Sequence, residues 1–163
     1  MPDGWRSASI FLRAVIVLVG IAAFAVMLWE PHVEGRNANA GLFQIYFQDP
    51  FLAYAYVASI PFFVALYQAF KVLTYVARDR AFSHAAVSAM RTVRYCAMIL
   101  IVGVAGGLFF IFLSDSDDRA GGVFIGFLFM FAAALLASGS AILERILRTG
   151  LALESESDSR RRL

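Results

Sequence analysis

The sequence predicts an all-α integral membrane protein, a four-helix bundle with both termini in the cytoplasm. Composition is the first reason: of 163 residues, 61% are apolar or aromatic and 16% charged, against roughly 45–50% and about 25% in soluble domains. Mean hydropathy is +0.73. Distribution is the second: the apolar residues gather into four runs, each near the ~20 residues a helix needs to cross hydrocarbon. Charge placement is the third, because Lys and Arg fall almost entirely on one side of those runs. A soluble globule near 150 residues hides only about 70% of the surface its unfolded chain exposes. That excludes a water-soluble monomer and, with it, most soluble enzyme folds. The single cysteine excludes an internal disulfide framework and a Cys-rich metal site.

The first span covers Ile10 to Trp29, with Arg13 near enough to its end to snorkel. Glu30-Pro31 is expected to stop it, since proline disfavours helical geometry in the residue before it. A cleavable signal peptide is the rival reading, with Ala23-Phe24-Ala25 as the cleavage pattern, but apolarity continues through Met27, Leu28 and Trp29. The outer connection from Pro31 to Asp49 divides into a polar half, His32 to Asn39, and an apolar half, Leu42 to Gln48. Asp49 reads as an N-cap for the second span, Pro50 to Leu73, and Pro50 suits a first helical turn. Pro61, near its middle with Ser59, should kink the helix and serve as a hinge, freeing a carbonyl one turn earlier. Ser83 then caps a helix that starts about His84 and runs unbroken into the third span, Tyr95 to Leu113. Val87, Met90 and Val93 recur at helical spacing there, while Ser88, Arg91 and Arg94 are placed to meet water or headgroups. Ser114 to Gly121 is a short acidic turn, and the fourth span, Gly122 to Leu143, carries no charge. Its helix continues past Glu144 and Arg148, an i,i+4 pair, to a C-cap at Gly150. Residues 1–150 thus form one membrane domain. Residues 151–163, mostly Ser and charge from Glu154 onward, should be a disordered tail.

Charge orients the bundle. Arg6 and Arg13, then Lys71, Arg78, Arg80, Arg91 and Arg94, then Arg145, Arg148, Arg160, Arg161 and Arg162 lie on one side, twelve of the 14 basic residues. Arg36 and Arg119 lie on the other, among Glu30, Glu34, Asp49, Asp115, Asp117 and Asp118. The positive-inside rule puts the twelve, and with them both termini, in the cytoplasm, with the chain crossing the membrane four times. An aromatic belt accounts for the Tyr and Trp residues near span ends. A basic inner face is ordinary for such a protein, so no direct nucleic-acid binding is expected.

Chemistry inside a membrane usually shows as ionisable residues at depth, and no span has one at its middle. Cys96 reads as a small apolar residue near the inner interface. His32 and His84 lie on opposite sides, so they cannot share a metal or haem, and His84 reads as a first-turn polar residue. The outer triplet Asp115, Asp117 and Asp118 lacks the glycine and distal glutamate of a calcium loop. No cofactor, metal or catalytic set is expected, and the protein is read as no enzyme. Small residues are the stronger intramembrane signal. Gly103 and Gly107, and Gly122 and Gly126, form two GxxxG patterns that suit close helix packing, within one bundle or in a homo-oligomer.

One stretch carries a family resemblance. Pro61-Phe62-Phe63, Tyr67-Gln68-Ala69-Phe70-Lys71-Val72-Leu73, Ala81-Phe82-Ser83, Val87, Met90-Arg91 and Tyr95 resemble the core of the bacterial DUF2975 membrane proteins. Size, four spans and an inside N-terminus agree with it. Ala81 stands where the family commonly has proline, and His84-Ala85-Ala86 replaces an acidic stretch, so the capping-box glutamate is missing and the cap should be weaker. The family has no assigned biochemical activity. The resemblance implies a membrane-bound regulator whose cytoplasmic partner is a small helix-turn-helix regulator encoded nearby. Lys71, Arg78, Arg80, Phe82, Ser83, His84 and Arg91 are the inner patch expected to dock such a partner. The competing reading is a small oligomeric transporter or channel component, with Pro61 and the glycines as moving parts. Absence of buried charge favours docking.

Overall fold

A computed structural model describes residues 3–33, 50–78, 80–113 and 119–161. Of these, 96% are helical and none is in a strand. The helices are α1 (Asp3–Val33), α2 (Pro50–Ala77), α3 (His84–Leu113) and α4 (Arg119–Arg161). All four are long and apolar enough to cross a membrane. The outer connection, with Asp49, and the acidic turn at 114–118 lie outside the described residues.

Each helix packs extensively on its neighbour in the chain, α3 on α4 most of all, and α1 touches chiefly α2. Contacts at both ends show the pairs to be antiparallel. Gly20 and Phe24 of α1 meet Leu66 and Phe63 of α2. Ala58 of α2 meets Gly103 of α3, and Leu108 of α3 meets Gly126 of α4. The beginning of α1, the end of α2, the beginning of α3 and the later part of α4 therefore share one end of the bundle, the basic one. The core also sits there: Ala65 and Val72 pack with Ala86, Val87, Ala89, Met90, Val93, Cys96 and Leu147. Elsewhere most of the large apolar side chains face outward, with Leu108 among the exceptions. Phe109, Phe124 and Phe131 are each 67% exposed, and the most apolar stretch of α1 holds no buried residue. In water that surface would be unfavourable by about 25 cal/mol per Å²; hydrocarbon covers it.

Small residues decide how closely the helices approach. Gly103, Gly106 and Gly107 line the seat of Tyr54, whose hydroxyl donates to the Gly103 carbonyl at 2.5 Å. A Cβ at Gly106 would lie 2.5 Å from the Tyr54 oxygen, and one at Gly126 2.5 Å from Leu108 Cδ2. Gly122 faces Ile111. Both GxxxG patterns are thus occupied by side chains of the same chain.

Two helix ends differ from the sequence expectation. Pro31 does not stop α1, which continues to Val33. Proline supplies no N–H to the carbonyl four residues back, here Met27, and the Tyr56 hydroxyl of α2 donates to that carbonyl at 2.6 Å instead. Nor does Gly150 end α4, and residues 151–161 are helical instead of a disordered tail. Glu156 and Arg160 pair at 2.6 Å across one turn, and Ser155, Ser157 and Ser159 donate to carbonyls three residues back. Arg162 and Leu163 lie outside the described residues. Pro61 sits inside α2, which runs through it as one helix, and Ser59 donates to the Tyr56 carbonyl at 2.7 Å beside it.

Candidate functional site

The basic end is built on the turn between α2 and α3. The backbone N–H groups of Arg78 and Arg80 both donate to the Tyr75 carbonyl, at 3.1 and 2.9 Å. The second bond spans six residues, the closure of a Schellman-type helix end, and it leaves both arginine side chains exposed. Three residues later Ser83 opens α3. Its Oγ accepts from the Ala86 N–H at 3.2 Å and its carbonyl from the Val87 N–H at 3.1 Å. That is N-cap geometry, made without the capping-box glutamate.

Between the two caps Phe82 reaches across to α4. A Cβ added at Gly150 would overlap the Phe82 ring, so the glycine is a notch that admits the aromatic side chain. Phe82 is still 48% exposed, and with Arg145, Ile146, Thr149 and Gly150 it lines an open, shallow recess. At 43 residues and about 1.5 Å per residue, α4 is far longer than the ~30 Å hydrocarbon layer. Its second half can therefore stand beyond the membrane beside the turn.

A second cluster lies toward the membrane from this recess. Glu144, with a side chain only 4% exposed, is surrounded by three guanidinium groups. Arg91 Nε and Arg148 Nη2 donate to Oε1 at 3.2 and 2.7 Å. Arg94 Nη1 lies 3.1 Å from Oε2, an ion pair without hydrogen-bond alignment. Arg94 also lies over the Tyr95 ring, 5.3 Å from its centre. On the other flank Arg13 of α1 donates to the Leu73 carbonyl of α2 at 3.0 Å and lies over Phe70. A residue read from sequence as snorkelling thus ties α1 to α2.

The structure divides the seven residues of the expected inner patch. Arg78, Arg80, Phe82 and His84 are exposed around the turn. Lys71 is half-buried, its Nζ 5.5 Å above the Tyr67 ring, and Ser83 is used as a cap. Arg91 is exposed as well, but its guanidinium is engaged by Glu144, so it is part of the ion cluster. Glu144 is the residue that sequence reasoning missed as a centre. Its signal was present: a single carboxylate directly after the long uncharged run, opposite a partner helix carrying Arg91 and Arg94 at helical spacing. Among the described residues no group of three His, Cys, Asp or Glu side chains is arranged to hold a metal. Cys96 lies buried in the core.

Comparison with known proteins agrees with this architecture. The chain is 36% identical over 155 residues to the uncharacterized membrane protein YoaS of Bacillus subtilis, covering 94% of this chain and 97% of that protein. No solved structure matches. The family described as a protein of unknown function, DUF2975, matches residues 36–159, a stretch that takes in α2, α3 and nearly all of α4, and with them the turn and the Glu144 cluster. The chain is a membrane protein of the DUF2975 family.

Proposed function

We propose that this protein is a membrane-anchored interaction module of the bacterial inner membrane, whose basic end lies in the cytoplasm and docks a soluble partner. The observation that carries the reading is Phe82. A large aromatic side chain is held half-exposed by a glycine notch at a helix crossing, next to the exposed Arg78, Arg80 and Arg145. Aromatic anchors in shallow recesses with a charged rim are where binding energy concentrates in protein interfaces. The partner needs an acidic face around an apolar pocket or patch. A small helix-turn-helix regulator is the class that the family resemblance suggests, held at or released from the membrane. Such a protein binds and does no chemistry of its own.

The test is recovery of the partner with the full chain from mild detergent extracts. Reversing charge with Arg78→Glu and Arg80→Glu together should cut recovery and leave membrane insertion intact. The loss should shrink as salt rises, because rim charges act mainly through association rate. Pro61→Ala should do much less, since it lies within α2 far from the turn. The reading is wrong if no partner accompanies wild type while reconstituted vesicles pass a solute, or if recovery is sensitive to Pro61 and indifferent to the arginines.

A further inference from the structure

We infer that the arginine cluster around Glu144 is a binding site for the phosphodiester headgroup of an anionic phospholipid. This goes beyond the docking turn and uses different residues. Arg91, Arg94 and Arg148 converge on one carboxylate, so three positive charges meet one negative charge and a surplus of two remains. Each guanidinium carries five N–H donors, and the two carboxylate oxygens engage only part of that supply. The side chains of Arg91, Arg94 and Arg148 are 47%, 32% and 52% exposed, so their outer faces are reachable. Glu144 meanwhile holds them together in a fixed fork, and guanidinium pairs bind phosphate oxygens in that manner.

Depth and surroundings point to a lipid as the source of the phosphate. Arg94 immediately precedes the third apolar run, and Glu144 immediately follows the fourth. The cluster therefore sits at the boundary of the hydrocarbon, where headgroup phosphates lie. Basic pockets between membrane helices recognise such headgroups. From Arg91 the same face of α3 continues into the membrane as Tyr95, Met98 and Val102, at spacings of four, seven and eleven residues. These are 50%, 48% and 73% exposed. That apolar track can hold an acyl chain below the bound phosphate. A free phosphate ester would make no use of it.

Native mass spectrometry of the full chain in a non-ionic detergent tests this, with dioleoylphosphatidylglycerol or dioleoylphosphatidylcholine added at equal concentration. Wild type should retain the anionic lipid at least about fivefold better than the zwitterionic one. Arg91→Gln with Arg94→Gln should remove that preference, and Arg78→Gln with Arg80→Gln, at the turn, should preserve it. Met98→Ser with Val102→Ser changes only exposed positions, so it tests the site even if the arginine variant fails to fold. It should lower retention of the anionic lipid. Glycerol 3-phosphate at the same concentration should displace little of that lipid from wild type. Equal retention of the two lipids, or an unchanged preference in a folded Arg91→Gln/Arg94→Gln variant, overturns the assignment. So does loss in the turn variant equal to that in the cluster variant. Full displacement by glycerol 3-phosphate, or no effect of the Met98/Val102 change, overturns the lipid as the source.

Discussion

Removing the donors of Glu144 singly and then together should expose how one buried carboxylate is held. Oε1 accepts from Arg91 Nε at 3.2 Å and Arg148 Nη2 at 2.7 Å. A hydrogen bond to a charged group contributes about 1.5–3 kcal/mol. Both arginine side chains are about half exposed, which moves each pair toward the surface range of about 0–1 kcal/mol. Arg91→Gln or Arg148→Gln alone should therefore destabilise by about 1 kcal/mol, because the other donor and Arg94 remain. Together they leave Oε1 without a guanidinium donor on a side chain that is 4% exposed, with Arg94 still paired at Oε2. Breaking a buried pair outright costs about 3–5 kcal/mol, and the remaining Arg94 pair keeps the loss at the lower end. The double variant should thus exceed the sum of the singles by about 1 kcal/mol, within the range seen for residues sharing one network. Adding Glu144→Met to the double variant removes the poorly compensated charge while keeping the volume, and should recover much of the loss. Reversible unfolding of the full chain in mixed micelles, followed by helical circular dichroism, measures each step. Additive losses, with no recovery from Glu144→Met, would refute the claim that the buried charge is what the arginines serve.

Two further variants probe packing and capping. Gly106→Ala places a Cβ 2.5 Å from the Tyr54 oxygen, so it should destabilise despite the better helix propensity of alanine, which is worth about 1 kcal/mol. Adding Tyr54→Phe should recover part of the loss in the same unfolding assay. Ser83→Ala removes the acceptor for the Ala86 N–H and should cost about 0.5–2 kcal/mol. It would be seen as faster amide exchange over His84 to Arg91, with Ser83→Asp nearly neutral.

The four helices were legible because apolar length is a local property, readable one run at a time. The Ser83 cap was legible for the same reason: its donor lies three residues away. What escaped the sequence depends on residues far along the chain. Pro31 continues α1 where Tyr56 meets the Met27 carbonyl, 29 residues apart. Gly150 reads as a helix end until Phe82 is seen lying on it. Glu144 pairs visibly with Arg148, one turn on, but its contact with Arg91 spans 53 positions and needs α3 and α4 to be antiparallel neighbours in a particular register. Periodicity supplies faces and lengths, and it does not supply that register. Arg91 is thus engaged by Glu144 while still exposed, and Arg78, Arg80, Phe82 and His84 are exposed around the turn.

The docking proposal stands on the basic end facing the cytoplasm, and the side of the membrane that each connection occupies is the most direct measurement of it. A reporter active only after export, fused in turn after Ala40, Arg80, Ser116 and Arg148, reads that side at four points along the chain. Twelve basic residues against two predict activity after Ala40 and Ser116 and none after Arg80 or Arg148. Activity after Arg80 would place the Phe82 turn outside the cell and contradict the account.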